Sequence, residues 1–254
     1  MRTPEENSRE EVIRYAVGAD GFRDVATYDA VRYQSPASRY KQRVMAQAYH
    51  RLLGPLAGKH ILDVGCGTGR GLNEFALQAC SATGVDASRD MLAAARCGSP
   101  DPGRARLVSA VAQRLPFPDA SFDIVTSLNF LHLFSTETQR AMVAEMKRVV
   151  RPGGTLVLEF DNALNGLLIG PYKRWRGEEH GSLPREIRRA LGGGCRVEAV
   201  HGAVFPVVWR LFHRAPRLFA GLERAAFYFP LNRLAHRIYF KLAVPGAEGA
   251  REWT

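Results

Sequence analysis

Three glycines spaced two apart, Gly65, Gly67 and Gly69, follow the apolar run Ile61-Leu62-Asp63-Val64 and make a turn almost stripped of side chains. Such a turn lets a ligand lie against the backbone. Asp86 stands 17 residues beyond Gly69, at the end of a second apolar run. A carboxylate in that place accepts hydrogen bonds from ribose hydroxyls, so the pair predicts a nucleoside-bearing cofactor. A nicotinamide dinucleotide would prefer Gly-x-Gly-x-x-Gly, and here the third glycine comes one position early.

These residues need a frame, and the hydrophobic pattern supplies one. Short apolar runs at 60–65, 82–86, 107–110, 122–127, 155–160 and 196–200 predict strands. Between them lie helical segments at 70–79, from Ser88 (a candidate N-cap), at 138–150 and at 184–191. Strands alternating with helices in this rhythm imply a mostly parallel sheet covered on both faces. Met45, Tyr49, Leu52 and Leu53 recur at helical spacing within 40–53, ahead of the Gly54-Pro55 stop. The rhythm breaks after Phe160. Residues 161–183 read as an irregular insertion, and 206–244 as two amphipathic helices broken near Phe229-Pro230. The chain divides into an N-terminal helical lid region (1–57), a core (58–205) and a basic amphipathic cap and tail (206–254).

Composition excludes several classes. Apolar residues at 46% and charged residues at 24% are those of a globular protein, not a disordered one. The first residues lack the apolar stretch of a signal peptide, and no run of about 20 apolar residues occurs. The four cysteines show neither metal-ligand nor disulfide spacing, which fits a cytoplasmic protein with free thiols. The net charge of +10 is uneven: residues 171–254 hold 15 basic and 7 acidic residues, an excess of eight. That surface could meet nucleic acid, anionic lipid or an acidic substrate, or could serve solubility alone.

The glycine loop resembles motif I of the class I S-adenosylmethionine-dependent methyltransferases, and the likeness continues along the chain. Gly84-Val85-Asp86-Ala87-Ser88 resembles the family's second strand with its ribose-binding acid. Leu115 to Asp123 resembles the approach to the fourth strand, and Arg148 to Gly154 the turn before the fifth. The likeness covers roughly residues 58 to 160. It implies a Rossmann-like α/β fold with a seven-stranded, mostly parallel sheet, and S-adenosyl-L-methionine as cofactor. Carried over residue by residue, it puts Asp63, Gly65, Cys66, Gly67 and Gly69 against the methionine and sugar, and Asp86 on the ribose hydroxyls. Ala87 or Ser88 would flank the adenine, with Ala112, Gln113 and Ser127 completing the site. Cys66 also reads as a small filler. One departure concerns adenine: the family often has an acid before the Leu-Pro-Phe phrase, where this chain has Val111, so backbone groups or Gln113 must serve.

Methyl transfer from a sulfonium needs chiefly an in-line nucleophile, and a base only where the acceptor must lose a proton. His132, just past the fourth strand, is the candidate base; related small-molecule enzymes often carry a histidine there. Asn129, Glu159, Asp161 and Asn162 stand at strand ends, where α/β enzymes build their sites. His180 could enter from the insertion. Tyr28, Tyr33 and Tyr40 precede the core and could cover the cofactor, with Tyr28 the preferred residue because Asp29 and Arg32 lie beside it. Leu211, Phe212, Leu218, Phe219 and Leu222 with neighbouring arginines suggest a greasy cap. The expected acceptor is therefore a hydrophobic small molecule. Nucleic acid is the weaker alternative, because the Asn/Asp-Pro-Pro-Tyr/Phe phrase is absent after the fourth strand; a non-catalytic binding module is another. Peripheral membrane contact and a homodimer are further possible uses of the cap.

Overall fold

The computed structural model describes residues 36–99, 101, 103–162, 184–203, 235 and 237–246, together with 6, 7, 10–12, 14, 25, 28, 29 and 33. His180, most of the expected insertion and the cap residues 206–234 lie outside them, as does the chain from 247 on. The expectations of membrane contact and dimerisation rest on that cap.

The described elements are α1 (Pro36–Leu53), β1 (His60–Val64), α2 (Arg70–Ala76), β2 (Ser81–Asp86), α3 (Arg89–Gly98) and β3 (Ala105–Ser109). They continue with β4 (Phe122–Ser127), a 3₁₀ turn (Leu131–Leu133), α4 (Thr136–Val149), β5 (Val150–Asp161), α5 (Pro184–Leu191), β6 (Arg196–Ala203) and β7 (Arg237–Ala243). Seven strands form one sheet in the order β3-β2-β1-β4-β5-β7-β6. The pairs from β3 through β5 are parallel, and β7 enters antiparallel between β5 and β6. The expected mostly parallel, helix-covered sheet is what the chain forms.

Alternation along the strands sorts side chains between two cores. Leu62, Val64, Val125, Leu156, Leu158 and Phe160 face α4 and α5, packing on Met142, Met146 and Ile187. Ile61, Ile124, Val157 and Tyr239 face the other way, against Met45, Ala48, Tyr49 and Leu52 of α1 and against Leu72 and Phe75 of α2. A strand buried on both sides reads as a nearly continuous apolar run, which is why these strands were visible in the sequence. The predicted cap forms, Ser88 accepting from the Met91 amide at 3.3 Å, and Ser135, not anticipated, caps α4.

One element is corrected. Residues 237–243 form strand β7, whereas the apolar pattern of 206–244 had suggested a helix through this stretch. Their pattern is period two: Phe240 and Leu242 join one core and Tyr239 the other. What selects the strand is the slot between β5 and β6, where Thr155 to Asp161 pair with Ala243 back to Arg237. Partners some eighty residues away decide that, and no local window displays them.

Candidate functional site

The parallel sheet reverses direction of winding between β1 and β4, and the glycine loop leaves β1 at that switch point. Two consecutive amides, of Gly65 and Cys66, donate to the Val85 carbonyl at 2.8 and 3.0 Å, lashing the loop to β2. Gly65 has φ +76°, and a side chain there would meet the Phe130 ring at 2.2 Å. Only glycine allows Phe130 to lie on the loop. Gly67, at φ +52°, has open space where a side chain would be, so its bare backbone is offered to a ligand.

Asp86 orders this loop. Its carboxylate accepts from the Gly67 amide at 2.9 Å and from the Ser88 amide at 2.9 Å. Burial raises its pKa, while the amides of Ser88, Gly67 and Ala87 pull the other way. A carboxylate has about four acceptor positions, so these two bonds leave capacity for ribose hydroxyls.

Beside the loop opens a cavity of about 320 Å³, lined by Tyr28, Tyr33, Met45, Tyr49 and Leu128 and floored by Asp63, Gly65, Cys66 and Gly67. Thr68, Arg70, Glu74, Gln42 and Asn129 complete its polar wall. Its volume falls at the lower end of small-molecule sites. Tyr28 and Tyr33 meet edge to face at 5.8 Å, and the Arg70 guanidinium lies 4.1 Å over the Tyr33 ring. Asp29 accepts from the Thr68 hydroxyl at 3.0 Å, tying the tyrosine segment to the loop. The Tyr49 hydroxyl donates to Glu74 at 2.6 Å, and burial together with that bond raises the phenol's pKa.

Asp63 is a buried acid on the cavity floor. Burial pushes its pKa up to about 7; the Thr126 hydroxyl, donating at 2.7 Å, opposes this, and the charge of Asp86 adds to it. Among the described residues it makes no ion pair. A buried carboxylate without an ion pair among the described residues, lining a cavity with tyrosine rings and a bare loop, suits a cationic nucleoside-bearing group. The residues present therefore fit S-adenosylmethionine, whose sulfonium and ammonium are positive.

The other expected residues do not line this cavity. Ser127 is buried and donates to the Val64 carbonyl at 3.0 Å, stitching β4 to β1. Gly69 caps α2, and Ala87 and Ala112 pack on the α4-side core, with Gln113 half-buried beside them. Burial drives the Cys66 thiol well above its ordinary pKa, which fits the filler role.

His132 is half-buried and does not line this cavity; it meets a cluster of buried charges. Nη1 of Arg237 stands 2.8 Å from Glu159 Oε1, 2.5 Å from Asp161 Oδ1 and 3.1 Å from His132 Nδ1. The three acidic and imidazole ligand atoms come within 4.8 Å of one another, as in a metal site, but the guanidinium already reaches all three. Asp161 and Arg237 are direct cross-strand partners of β5 and β7. Arg237, Tyr49, Glu74 and Thr68 were not anticipated. Tyr49 sat in the predicted helix as an apolar contact, and Arg237 gave no local signal, being one arginine among many in a basic tail.

A bare loop at the switch point of a doubly wound sheet, with an acid ending the next strand, is the arrangement with which α/β folds of this class bind nucleoside-bearing cofactors. Residues 62–158 match the family described as "Methyltransferase domain". Among curated proteins, the demethylmenaquinone methyltransferase of Mycobacterium tuberculosis (strain ATCC 25618 / H37Rv) is 38% identical over 154 residues, covering 59% of this chain and 58% of that one. The O-methyltransferase cnsE of Penicillium expansum is 34% identical over 135 residues, covering 50% and 48%. The chain thus spans about half the length of the curated relatives it matches. A solved S-adenosylmethionine-dependent methyltransferase from Mesorhizobium loti superposes with TM-score 0.56 at 22% identity, covering 78% of this chain and 96% of that chain, and shares its fold. Residues 62–158 are accordingly similar to a methyltransferase domain in both sequence and fold.

Proposed function

We propose that the chain moves a methyl group from S-adenosylmethionine to an oxygen, nitrogen or carbon atom of a hydrophobic small molecule by in-line displacement. The observation that carries this reading is the cavity where the glycine loop, the buried Asp63 and three tyrosines converge. Bound there, the cofactor supplies an activated methyl group on a sulfonium. Gly65 and Gly67 offer backbone against it, Asp63 offers negative charge, and Asp86 offers acceptors to the sugar. Tyr28 and Tyr33 cover the site with aromatic faces that attract a sulfonium and exclude water.

The acceptor side is more apolar: Met45 and Leu128 line it beside the tyrosines. Relatives named for demethylmenaquinone and for O-methylation point to a hydroxylated aromatic or quinol-type acceptor. Four free cysteines suit a reducing cytoplasm, and among the described residues no helix is long and apolar enough to cross a membrane.

The test is transfer of labelled methyl from S-adenosylmethionine to a demethylated naphthoquinol, a phenolic natural product and bulk transfer RNA, run side by side. Label in either small molecule is expected. Label confined to RNA would reassign the acceptor, and calorimetry showing no S-adenosylmethionine binding would remove the cofactor from this chain.

A further inference from the structure

We propose that Arg237 is a positioning residue for the acceptor side of the site, holding His132 in a single tautomer and, through Glu159, fixing the turn that supplies Leu128 and Asn129 to the cavity wall. The proposal rests on reading that cavity as the place of methyl transfer.

The first link is the imidazole. A guanidinium has donors only, so its contact with His132 Nδ1 at 3.1 Å requires the lone pair of that nitrogen. In the neutral ring the proton then sits on Nε2. Neither ring nitrogen keeps a lone pair with which to take a proton from an acceptor. His132, expected from its place after β4 to be the base, is instead held as a hydrogen-bond donor. The acceptor class that fits is a nucleophile that needs no proton removed by this histidine.

The second link is the turn after β4. Glu159 is fully buried; one oxygen meets Arg237 at 2.8 Å, and the other accepts the Asn129 amide at 3.3 Å. Asn129 has φ +55°, a left-handed conformation that few residues other than glycine and asparagine adopt. That bend places Leu128 and Asn129 on the cavity and Phe130 on Gly65. From the far side, Gln139 of α4 donates to the carbonyls of Leu131 and Phe134, both at 3.0 Å. The turn is thus pinned at two points, one of them charged. Arg237 closes the network from β7, on the strand that pairs Asp161 with it.

The test needs no acceptor. Long-range ¹H–¹⁵N NMR of the full chain at pH 7.5, with His132→Gln to assign the resonances, is expected to show His132 neutral with its proton on Nε2. A proton on Nδ1, or a charged ring, would overturn the proposal. Arg237→Met is expected to release the ring into a mixture of tautomers while changing the dissociation constant for S-adenosylhomocysteine less than threefold. An unchanged tautomer in that variant would also overturn it, and the wild-type spectrum decides alone if the variant does not fold. Failure of the wild-type protein to bind S-adenosylhomocysteine would defeat the cofactor reading and leave the tautomer result standing.

Discussion

Two buried acidic centres lie toward the carboxyl end of the sheet, one on β1 and one on β5, and they are built on opposite principles. Around Glu159 and Asp161 the chain supplies its own cation: Arg237 is buried with them, and their charges hold its pKa above the ordinary value although burial works to lower it. Burial raises the pKa of Glu159 too, but Arg237 and Lys41 pull against that rise. Around Asp63 no cation is supplied among the described residues, and the Thr126 hydroxyl opposes its desolvation. A buried charge that the fold pairs holds architecture together. One that the fold leaves unpaired is stability given up at a place where a ligand can restore it.

The comparison breaks most visibly at Arg237. Replacing it with methionine strands two carboxylates in a dry interior, and removing one partner of a buried pair costs about 3–5 kcal/mol. Urea unfolding of Arg237→Met is expected to show a loss of that size. A loss below 1 kcal/mol would mean that the cluster is wetter or looser than its contacts indicate.

Asp63→Asn is expected to do the reverse. Raising a carboxyl from 3.8 to about 7 destabilises the folded state above pH 7 by up to roughly 4 kcal/mol. Because the folded pKa exceeds the unfolded one, folding takes up a proton between these values, and Asp63 costs more stability as pH rises through that window. The asparagine variant should be more stable than wild type at pH 8 and show little gain at pH 4. It should also bind S-adenosylmethionine at least about tenfold more weakly, a loss of roughly 1.4 kcal/mol. Lower stability at pH 8 would remove Asp63 from the unpaired class.

The smallest effect sharpens the contrast in solution. A cation bound beside Asp63 favours the carboxylate, so wild-type affinity should tighten about tenfold between pH 6 and pH 8, with proton release. Calorimetry in buffers of differing ionisation enthalpy reads both. Binding with no proton released at pH 7 would place the positive groups of the cofactor away from this residue.

How much of this was legible differs between the two centres. Asp63 and the glycine loop occupy seven consecutive positions, and the loop's geometry follows from local chemistry: positive φ, a bare backbone and a carboxylate at the next strand end. The loop could therefore be recognised before any partner was known. Even so, the deployment of Asp86 became clear only in three dimensions, where the Gly67 and Ser88 amides occupy its oxygens. His132 shows the limit more sharply. Its place in the chain suggested a base, and its neighbour in space, Arg237, is 105 residues away.

By itself the chain determined the alternating strands and helices, the glycine loop with its acid at the next strand end, and thereby the likeness to a methyltransferase domain, because each is written in residues close in sequence. Tertiary structure alone decided that 237–243 is a strand, that Arg237 sits among His132, Glu159 and Asp161, and that Asp63 makes no ion pair among the described residues. The reason is physical. Strand pairing and the balance of buried charge are settled by groups far apart in sequence that the fold brings within hydrogen-bond reach, and a one-dimensional pattern carries no record of that distance.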